Sequence, residues 1–398
     1  MPGLDARRID AATTPHVHAL RASFPTVALR TLPTTELLPT LLTGVPPEAH
    51  GIWQVRLKSE ARAMPEPRLV DRLPPVVGTT LQCLRQFADH GYDLAAVPPR
   101  RRRMFDLRRF KYTRREHDGR VMERIGASES LFGLLGQRSR YRFTRRFAEL
   151  PRLARELPSA RFEFELLEMY ALDLFQHWHM DRPAELAAAY RRADDFIGAL
   201  HARARERGVR FMLLVDHGQE PVIGTIPLFA AIAGAHVPER EYALFVEAAM
   251  ARLWFHTDRA RTAITAAIAR LDHVTRLGWR DLAAHGIRFD DDACGELYVS
   301  ADPGWIFFPH DFYQPAANLF LGLFGGHQRP RLFQPRHRGN HGYLPRHPSE
   351  QGFVVLAEPG VRALRAEMTL IDFAPSVLGL LGRDVPAAMR GVPAFEAA

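Results

Sequence analysis

The stretch RFMLLVDHGQE, residues 210–220, places an apolar segment directly before an acid, an imidazole and a glycine. FMLLV has the length and composition of a buried strand, and the polar Asp-His-Gly would end it. Binding sites in α/β folds form at the carboxyl ends of strands, and Asp and His are both metal ligands. The stretch therefore predicts a strand that ends in either a simple turn or a metal site.

Helical and strand patterns alternate on both sides of this stretch. A helix is predicted over 183–207, where Ala, Leu and Ile recur at three- and four-residue spacing, and a second long helical region over about 239–286. Short apolar strands are predicted at TVALRTL (26–32), ELYVSA, WIFFP and FVVLA. This alternation predicts an α/β fold, a three-layer sandwich with a central, mostly parallel sheet, formed by residues 1–398 as a single domain.

Residues 58–165 differ in character from the rest of the chain and are predicted to form a basic inserted, cap-like segment. Nine of the sixteen residues from Arg100 to Arg115 are basic, and Phe105, Phe110 and Tyr112 are interleaved with them. Such a pattern can bind single-stranded nucleic acid, but it is also typical of a solvated face whose aromatic residues hold it to the domain. Nucleic acid is therefore a possible partner that the pattern does not favour.

Composition and charge limit the class of protein. The 398 residues are 46% hydrophobic and 25% charged, which is typical of a globular protein. No apolar run is long enough to span a bilayer, so no membrane partner is expected. The start has no apolar signal segment, and Cys83 and Cys294 form no CxxC pattern, so we expect a cytoplasmic protein. The net charge of +8 favours anionic ligands such as phosphorylated small molecules.

Four separate segments contain residues suited to a phosphate site with two metal ions. They are Thr34 at the start of the predicted helix TTELLPTLLTG (34–44), the D-x-x-x-H pair Asp173 and His177, the strand-end pair Asp216 and His217, and His341 in a glycine-flanked loop. A helix N-terminus suits a phosphoryl group, and a hydroxyl there can attack phosphorus. Each segment alone is also compatible with a structural role as a cap, a helix-face pair or a turn.

Taken together and in order, the segments resemble those of one superfamily. TLLTGVPPEAHGI, DLFQH, LLVDHG, GNHGYL and IDFAPSVLGLLG resemble the alkaline phosphatase superfamily, and within it the type I phosphodiesterase/nucleotide pyrophosphatase group. In that group the nucleophilic Thr lies six residues before the first Thr of a T-x-x-T-G motif; that Thr is Thr40 here, which points to Thr34. The resemblance covers most of the chain and implies an alkaline-phosphatase-like sandwich, with residues 58–165 matched least.

The resemblance implies a set of roles for the candidate residues. Asp173, His177 and His341 would bind one divalent metal ion, and Asp216 and His217 a second, with Thr34 between them as nucleophile. Zinc is the expected metal, with manganese or iron possible. The implied activity is hydrolysis of phosphoric esters, with a phosphodiesterase favoured over a phosphomonoesterase and a phosphorylated small molecule as substrate.

Two departures from the group's pattern keep an alternative open. The group has a further metal-binding Asp after its first strand; Asp5 and then Asp10 are the nearest candidates here, so either the native start lies upstream or the second ion binds weakly. The group's nucleotide-cleaving members have Asn three residues after the nucleophile, where this chain has Leu37. The alternative is a non-catalytic or impaired member that binds an anionic partner through its Arg-rich segment.

Overall fold

The computed structural model describes residues 1–34, 36–54, 56–58, 74, 77, 110–112, 123–159, 161–289, 291–307 and 337–397. Most of the basic run at residues 100–115 and of the predicted insertion lies outside these ranges, apart from a short strand and residues 123–159 and 161–165. The prediction of a single domain with an insertion at 58–165 stays a prediction. None of the helices in the described ranges has the length and apolar character that a membrane crossing requires.

The helices are numbered in chain order. They are α1 Pro15–Ser23, α2 Leu38–Thr43, α3 Pro47–His50, α4 Leu131–Leu135, α5 Leu150–Glu156, α6 Ala171–His179, α7 Pro183–Glu206, α8 Leu228–Gly234, α9 Asp258–Ile268, α10 Trp279–Ala283 and α11 Phe373–Leu380.

The strands alternate with these helices. They are β1 Thr26–Arg30, β2 Arg56–Lys58, β3 Phe110–Tyr112, β4 Arg124–Ile125, β5 Ser128–Glu129, β6 Ser139–Thr144, β7 Phe164–Met169, β8 Phe211–Val215, β9 Glu220–Pro221, β10 Gly224–Thr225, β11 Tyr242–Val246, β12 Met250–Phe255, β13 Val274–Gly278, β14 Leu297–Ala301, β15 Trp305–Ile306, β16 Gly339–Asn340, β17 Gly352–Ala357, β18 Val361–Ala363, β19 Glu367–Thr369 and β20 Phe395–Ala397.

A four-stranded sheet with the order β19-β1-β17-β8 lies at the centre of the fold. β1 pairs with β19 in parallel, and β17 pairs antiparallel with both β1 and β8. β19, β1 and β8 therefore run in one direction, and β17 runs against them. Because β1 and β8 share a direction, their carboxyl ends lie at the same edge of the sheet.

Helices cover both faces of this sheet, as the sequence predicts for a three-layer sandwich. Val354 and Leu356 of β17 belong to the buried cluster that contains α2 and α11. The alternate residues Phe353 and Val355 belong to a second cluster, together with apolar residues of α1 and α7. Since successive strand residues point to opposite faces, β17 is buried on both sides, and its six residues are all buried.

A second four-stranded sheet, with the order β11-β12-β14-β13, is antiparallel throughout. The long helix predicted over about 239–286 is therefore wrong, because that segment contains β11, β12, α9, β13 and α10. β11 and β12 are buried along their whole length. A continuous apolar run has no alternation, so its sequence pattern does not distinguish a buried strand from a buried helix.

Candidate metal centre

The carboxyl end of β8 carries the stretch Asp216-His217-Gly218-Gln219. Its backbone is fixed on two sides, because Gly218 N donates to Ser349 O at 2.6 Å and His217 O accepts from Gly3 N at 3.0 Å. Gly352, at the start of β17, allows the close approach, since a Cβ there would lie 2.1 Å from Val215 O. The predicted strand therefore ends in an ordered turn at the edge of the central sheet.

Asp173 and His177 lie on one face of α6, as the i,i+4 spacing predicts. His177 Nε2 is 3.6 Å from Asp173 Oδ2. α6 is held against the loop that carries His341, because Arg338 N donates to His177 O at 2.7 Å.

A short two-stranded ladder brings His341 to the end of β8. β9 follows Gln219 directly and β16 immediately precedes His341, and the two pair antiparallel, with Asn340 opposite Glu220. The imidazole rings of His217 and His341 are stacked with their centroids 3.9 Å apart, and His177 lies 5.3 Å from His341. Residues far apart in the sequence therefore form one cluster.

Three of the predicted ligands lie close enough to share one cation. One ligand atom each from Asp173, His217 and His341 lies within 4.8 Å of the other two. His177 contacts this group through Asp173, and Asp216 Oδ2 lies 3.6 Å from His217 Nε2. How the five residues divide between two ions stays a prediction.

Backbone carbonyl oxygens lie beside Nδ1 of two of the histidines and fix the orientation of their rings. Nδ1 of His177 lies 2.9 Å from Gly339 O, and Nδ1 of His217 lies 2.9 Å from Gly218 O. A carbonyl oxygen can only accept, so each Nδ1 carries a proton, and in the neutral form of each ring the lone pair is on Nε2. In metal-binding histidines, the ring nitrogen that does not contact the metal typically donates such a hydrogen bond, which fixes the tautomer.

The protonation states also suit cation binding. Burial raises the pKa of Asp173, but the neighbouring His341 and His177 lower it more, so its pKa lies below the usual range. Burial and the nearby His217 place the pKa of His341 well below its ordinary value. Burial lowers the pKa of His217, but the carboxylates of Asp216 and Asp173 outweigh that effect and raise it. An ionised Asp173 beside a neutral His341 is the form that a metal ion requires.

Thr34 lies on the loop that leaves the carboxyl end of β1, at the same sheet edge as this cluster. Its buried hydroxyl donates to Trp53 O at 2.5 Å and accepts from Glu36 N at 3.0 Å. Three residues earlier, Thr31 Oγ1 donates to Glu350 O, and the Glu350 carboxylate accepts from Gly342 N, next to His341. This chain of contacts connects the Thr34 loop to the histidine cluster.

The motifs around Thr34 hold the loop in place. α2 begins at Leu38, so Pro39 occupies the first turn without the kink that its position suggests, and Gly44 ends the helix in the left-handed region with φ 65°. His50, from P-x-x-H-G, lies 3.0 Å from Thr40 Oγ1 through Nε2 and accepts from Ile52 N through Nδ1. These paired motifs are therefore a buried hydrogen-bonded support for the Thr34 loop.

The substitutes for the further metal-binding Asp have other partners. Both carboxylate oxygens of Asp5 accept from Arg7, with Nη2 at 2.5 Å and Nε at 2.9 Å from one oxygen each. Asp10 accepts from Ala12 N and Thr13 N at the surface. Within the described part of the chain, neither belongs to the cluster around Asp173.

Two polar residues of the site have no local sequence signal. Gln219 donates through Nε2 to Oδ1 of Asp173 at 2.7 Å. Glu350 accepts from Gly342 N with both carboxylate oxygens at 3.1 Å. Both side chains are buried. Their burial in connecting segments of the structure identifies them, because a buried polar side chain needs a hydrogen-bond partner.

Comparisons with known proteins agree with this architecture. A model of the family described as type I phosphodiesterase/nucleotide pyrophosphatase matches residues 3–344. Murine ectonucleotide pyrophosphatase/phosphodiesterase 5, solved as an inactive threonine-to-alanine variant in complex with AMP, is similar with a TM-score of 0.61 and 13% identity, over 94% of this chain and 92% of that one. Human ectonucleotide pyrophosphatase/phosphodiesterase 5 is similar with a TM-score of 0.60 and 14% identity, over 94% of this chain and 91% of that one. A comparison with curated proteins finds no match.

Proposed function

Because the chain belongs to the type I phosphodiesterase/nucleotide pyrophosphatase family, we propose that it is a metal-dependent hydrolase that cleaves phosphodiesters with Thr34 as nucleophile. The observation that carries the proposal is the cluster of Asp173, His217 and His341, whose ligand atoms lie within 4.8 Å of one another. It lies at the sheet edge from which the Thr34 loop departs. An inactive threonine-to-alanine variant of the murine structural neighbour supports a threonine in this role.

We propose that Asp173, His177 and His341 hold one divalent cation and that Asp216 and His217 hold a second. Nitrogen and oxygen ligands without thiolate suit zinc first, and manganese or iron next. Bound cations would neutralise charge on the phosphoryl oxygens and favour the ionised form of a neighbouring hydroxyl. The carbonyl oxygens of Gly339 and Gly218 keep the two imidazoles in the tautomer that such binding needs.

Thr34 is set up to attack by the hydrogen bonds that it makes. Glu36 N donates a hydrogen bond to its oxygen, and the hydroxyl donates a hydrogen bond to Trp53 O. The hydroxyl is therefore held in one orientation before substrate binds. Attack on phosphorus would form the bond between Thr34 Oγ1 and phosphorus, break one ester P–O bond, and release that group as its alcohol, which takes up the proton that the hydroxyl gives up. Hydrolysis of that phosphorylated threonine would then return the hydroxyl.

The proposed substrate is a phosphorylated small molecule with a diester linkage. Leu37 lies three residues after Thr34, where nucleotide-cleaving relatives have an amide, and it is buried in the apolar core. It therefore provides no polar contact to a phosphoryl oxygen. The murine neighbour is known with AMP bound, so nucleotides remain one class to test alongside simple diesters.

The test is hydrolysis of bis-p-nitrophenyl phosphate with added Zn²⁺ or Mn²⁺, compared with p-nitrophenyl phosphate. We expect turnover of the diester that EDTA abolishes, and a loss of about 10³-fold or more in Thr34→Ala. Thr43→Ala is the matched control, because Thr43 is also buried and also donates to a carbonyl oxygen, that of Pro39. Equal turnover in Thr34→Ala and Thr43→Ala would exclude Thr34 as the nucleophile.

The contacts of Asp5 favour a second candidate function. Because Arg7 occupies both oxygens of Asp5, that carboxylate is not free to complete the set formed by Asp216 and His217. An impaired member of the family would keep the fold and bind an anionic partner instead. Metal analysis separates the two: two ions per chain support the enzyme, and none supports the binding protein.

A further inference from the structure

We propose that Gln219 is a positioning residue that fixes the Asp173 carboxylate for metal binding. This inference rests on the proposed function, because it concerns the same metal centre. Gln219 is fully buried, and its side chain points across the junction between the end of β8 and helix α6.

The amide of Gln219 contacts Asp173 twice. Nε2 donates to Asp173 Oδ1 at 2.7 Å and to Asp173 O at 3.0 Å. The opposite orientation of the amide would place its oxygen against two other oxygens, so the contacts determine which end faces Asp173. One neutral group therefore holds both the backbone and the carboxylate of a residue that is 46 positions away.

The contact fixes how the two carboxylate oxygens of Asp173 face the histidines. Oδ1 accepts the bond from Gln219 and lies 3.5 Å from His341 Nε2, whereas Oδ2 lies 3.6 Å from His177 Nε2. Without the bond, rotation of the carboxylate would no longer be restricted. A hydrogen bond that orients a metal-binding carboxylate is worth about 10- to 100-fold in metal affinity in other proteins.

The fold makes room for this side chain. Gly339 lies beside Gln219, and a Cβ at this position would be 2.7 Å from Gln219 Oε1. The carbonyl of the same glycine accepts from His177 Nδ1. Because Gln219 is also two residues after His217, one short segment sets the positions of His217 and Asp173 relative to each other.

The experiment measures Zn²⁺ affinity by competition with a chromophoric chelator in the full chain. Gln219→Met keeps the length of the side chain but removes both donated bonds, and we expect its Zn²⁺ dissociation constant to rise about 10- to 100-fold. Tyr190→Phe is the control: Tyr190 is buried, and its hydroxyl bonds to Gly3 O and Gln176 Oε1 but not to Asp173. We expect Tyr190→Phe to melt at a lower temperature yet bind Zn²⁺ within about twofold of wild type.

The visible absorption spectrum of bound Co²⁺ gives a second measurement. A loss of protein stability alone would not change this spectrum. We expect a changed absorption band in Gln219→Met and the wild-type band in Tyr190→Phe. Wild-type affinity in Gln219→Met, or equal weakening in both variants, would overturn the inference but not the proposed function. A wild-type protein that binds no Zn²⁺ would overturn both.

Discussion

Replacing Glu350 with Gln tests the electrostatics beside the candidate metal centre. Glu350 is the last residue of the turn Pro348–Glu350, is only 4% exposed, and holds the His341 loop through Gly342 N. Burial raises the pKa of its carboxyl group from 4.5 to about 7, although His217 and the N–H of Gly342 partly oppose the increase. Gln keeps the shape of the side chain but does not titrate.

The sign of the effect follows from the direction of this pKa. The Glu350 carboxyl group binds its proton more tightly in the native state than in the unfolded chain. Its contribution to the free energy of unfolding is therefore fully present below pH 4.5 and is lost as the pH rises through 7. At ~1.4 kcal/mol per unit of pH, the whole loss is about 3 kcal/mol, and most of it falls between pH 5 and pH 8. Wild type should therefore lose this stability relative to Glu350→Gln over that interval.

Urea denaturation of both proteins in EDTA, at several pH values from 5 to 8, measures the difference. Infrared difference spectra add a direct check, since the band of a protonated carboxyl group should disappear near pH 7 in wild type and be absent from Glu350→Gln. A difference in unfolding free energy that is constant with pH, or that changes in the opposite direction, would show that the Glu350 carboxyl group does not have a raised pKa in the folded protein.

Three further predictions concern the site and its support. Zn²⁺ affinity should increase from pH 6 to pH 8, because the raised pKa of His217 makes protons compete with the metal; calorimetric titration that finds no pH dependence would contradict this. Gly352→Ala should lower the free energy of unfolding by about 1–3 kcal/mol, since its Cβ would lie 2.1 Å from Val215 O, whereas Gly234→Ala, with open space around it, should not. Thr40→Val should cost about 1–3 kcal/mol through the lost contact with His50 yet leave Zn²⁺ affinity unchanged, and reduced affinity in that variant would show that the support extends to the metal.

Local patterns in the sequence predict the elements that carry the site. The i,i+4 spacing of Asp173 and His177 identifies a helix face, and the apolar run before Asp216 identifies a strand end; both are found in α6 and β8. FVVLA is also confirmed as β17, a central strand that is buried on both faces.

The parts that sequence reasoning misses depend on long-range contacts. β11 and β12 are buried throughout, so their patterns lack the alternation that marks a strand. Gln219 and Glu350 gain their roles only when the chain brings Asp173 and Gly342 to them, and no periodicity marks such residues. Asp5 could be named from the sequence as a candidate ligand, but its hydrogen bonds with Arg7 could not be predicted.

We propose that one edge of the central sheet binds divalent cations between Asp173, His177, Asp216, His217 and His341. Anomalous X-ray scattering at the zinc edge, from crystals of the Zn²⁺-loaded protein, measures this most directly. We expect peaks about 2.0–2.2 Å from Nε2 of His217 and His341 and from a carboxylate oxygen of Asp173. A zinc-loaded crystal with no peak within bonding distance of these three side chains would contradict it.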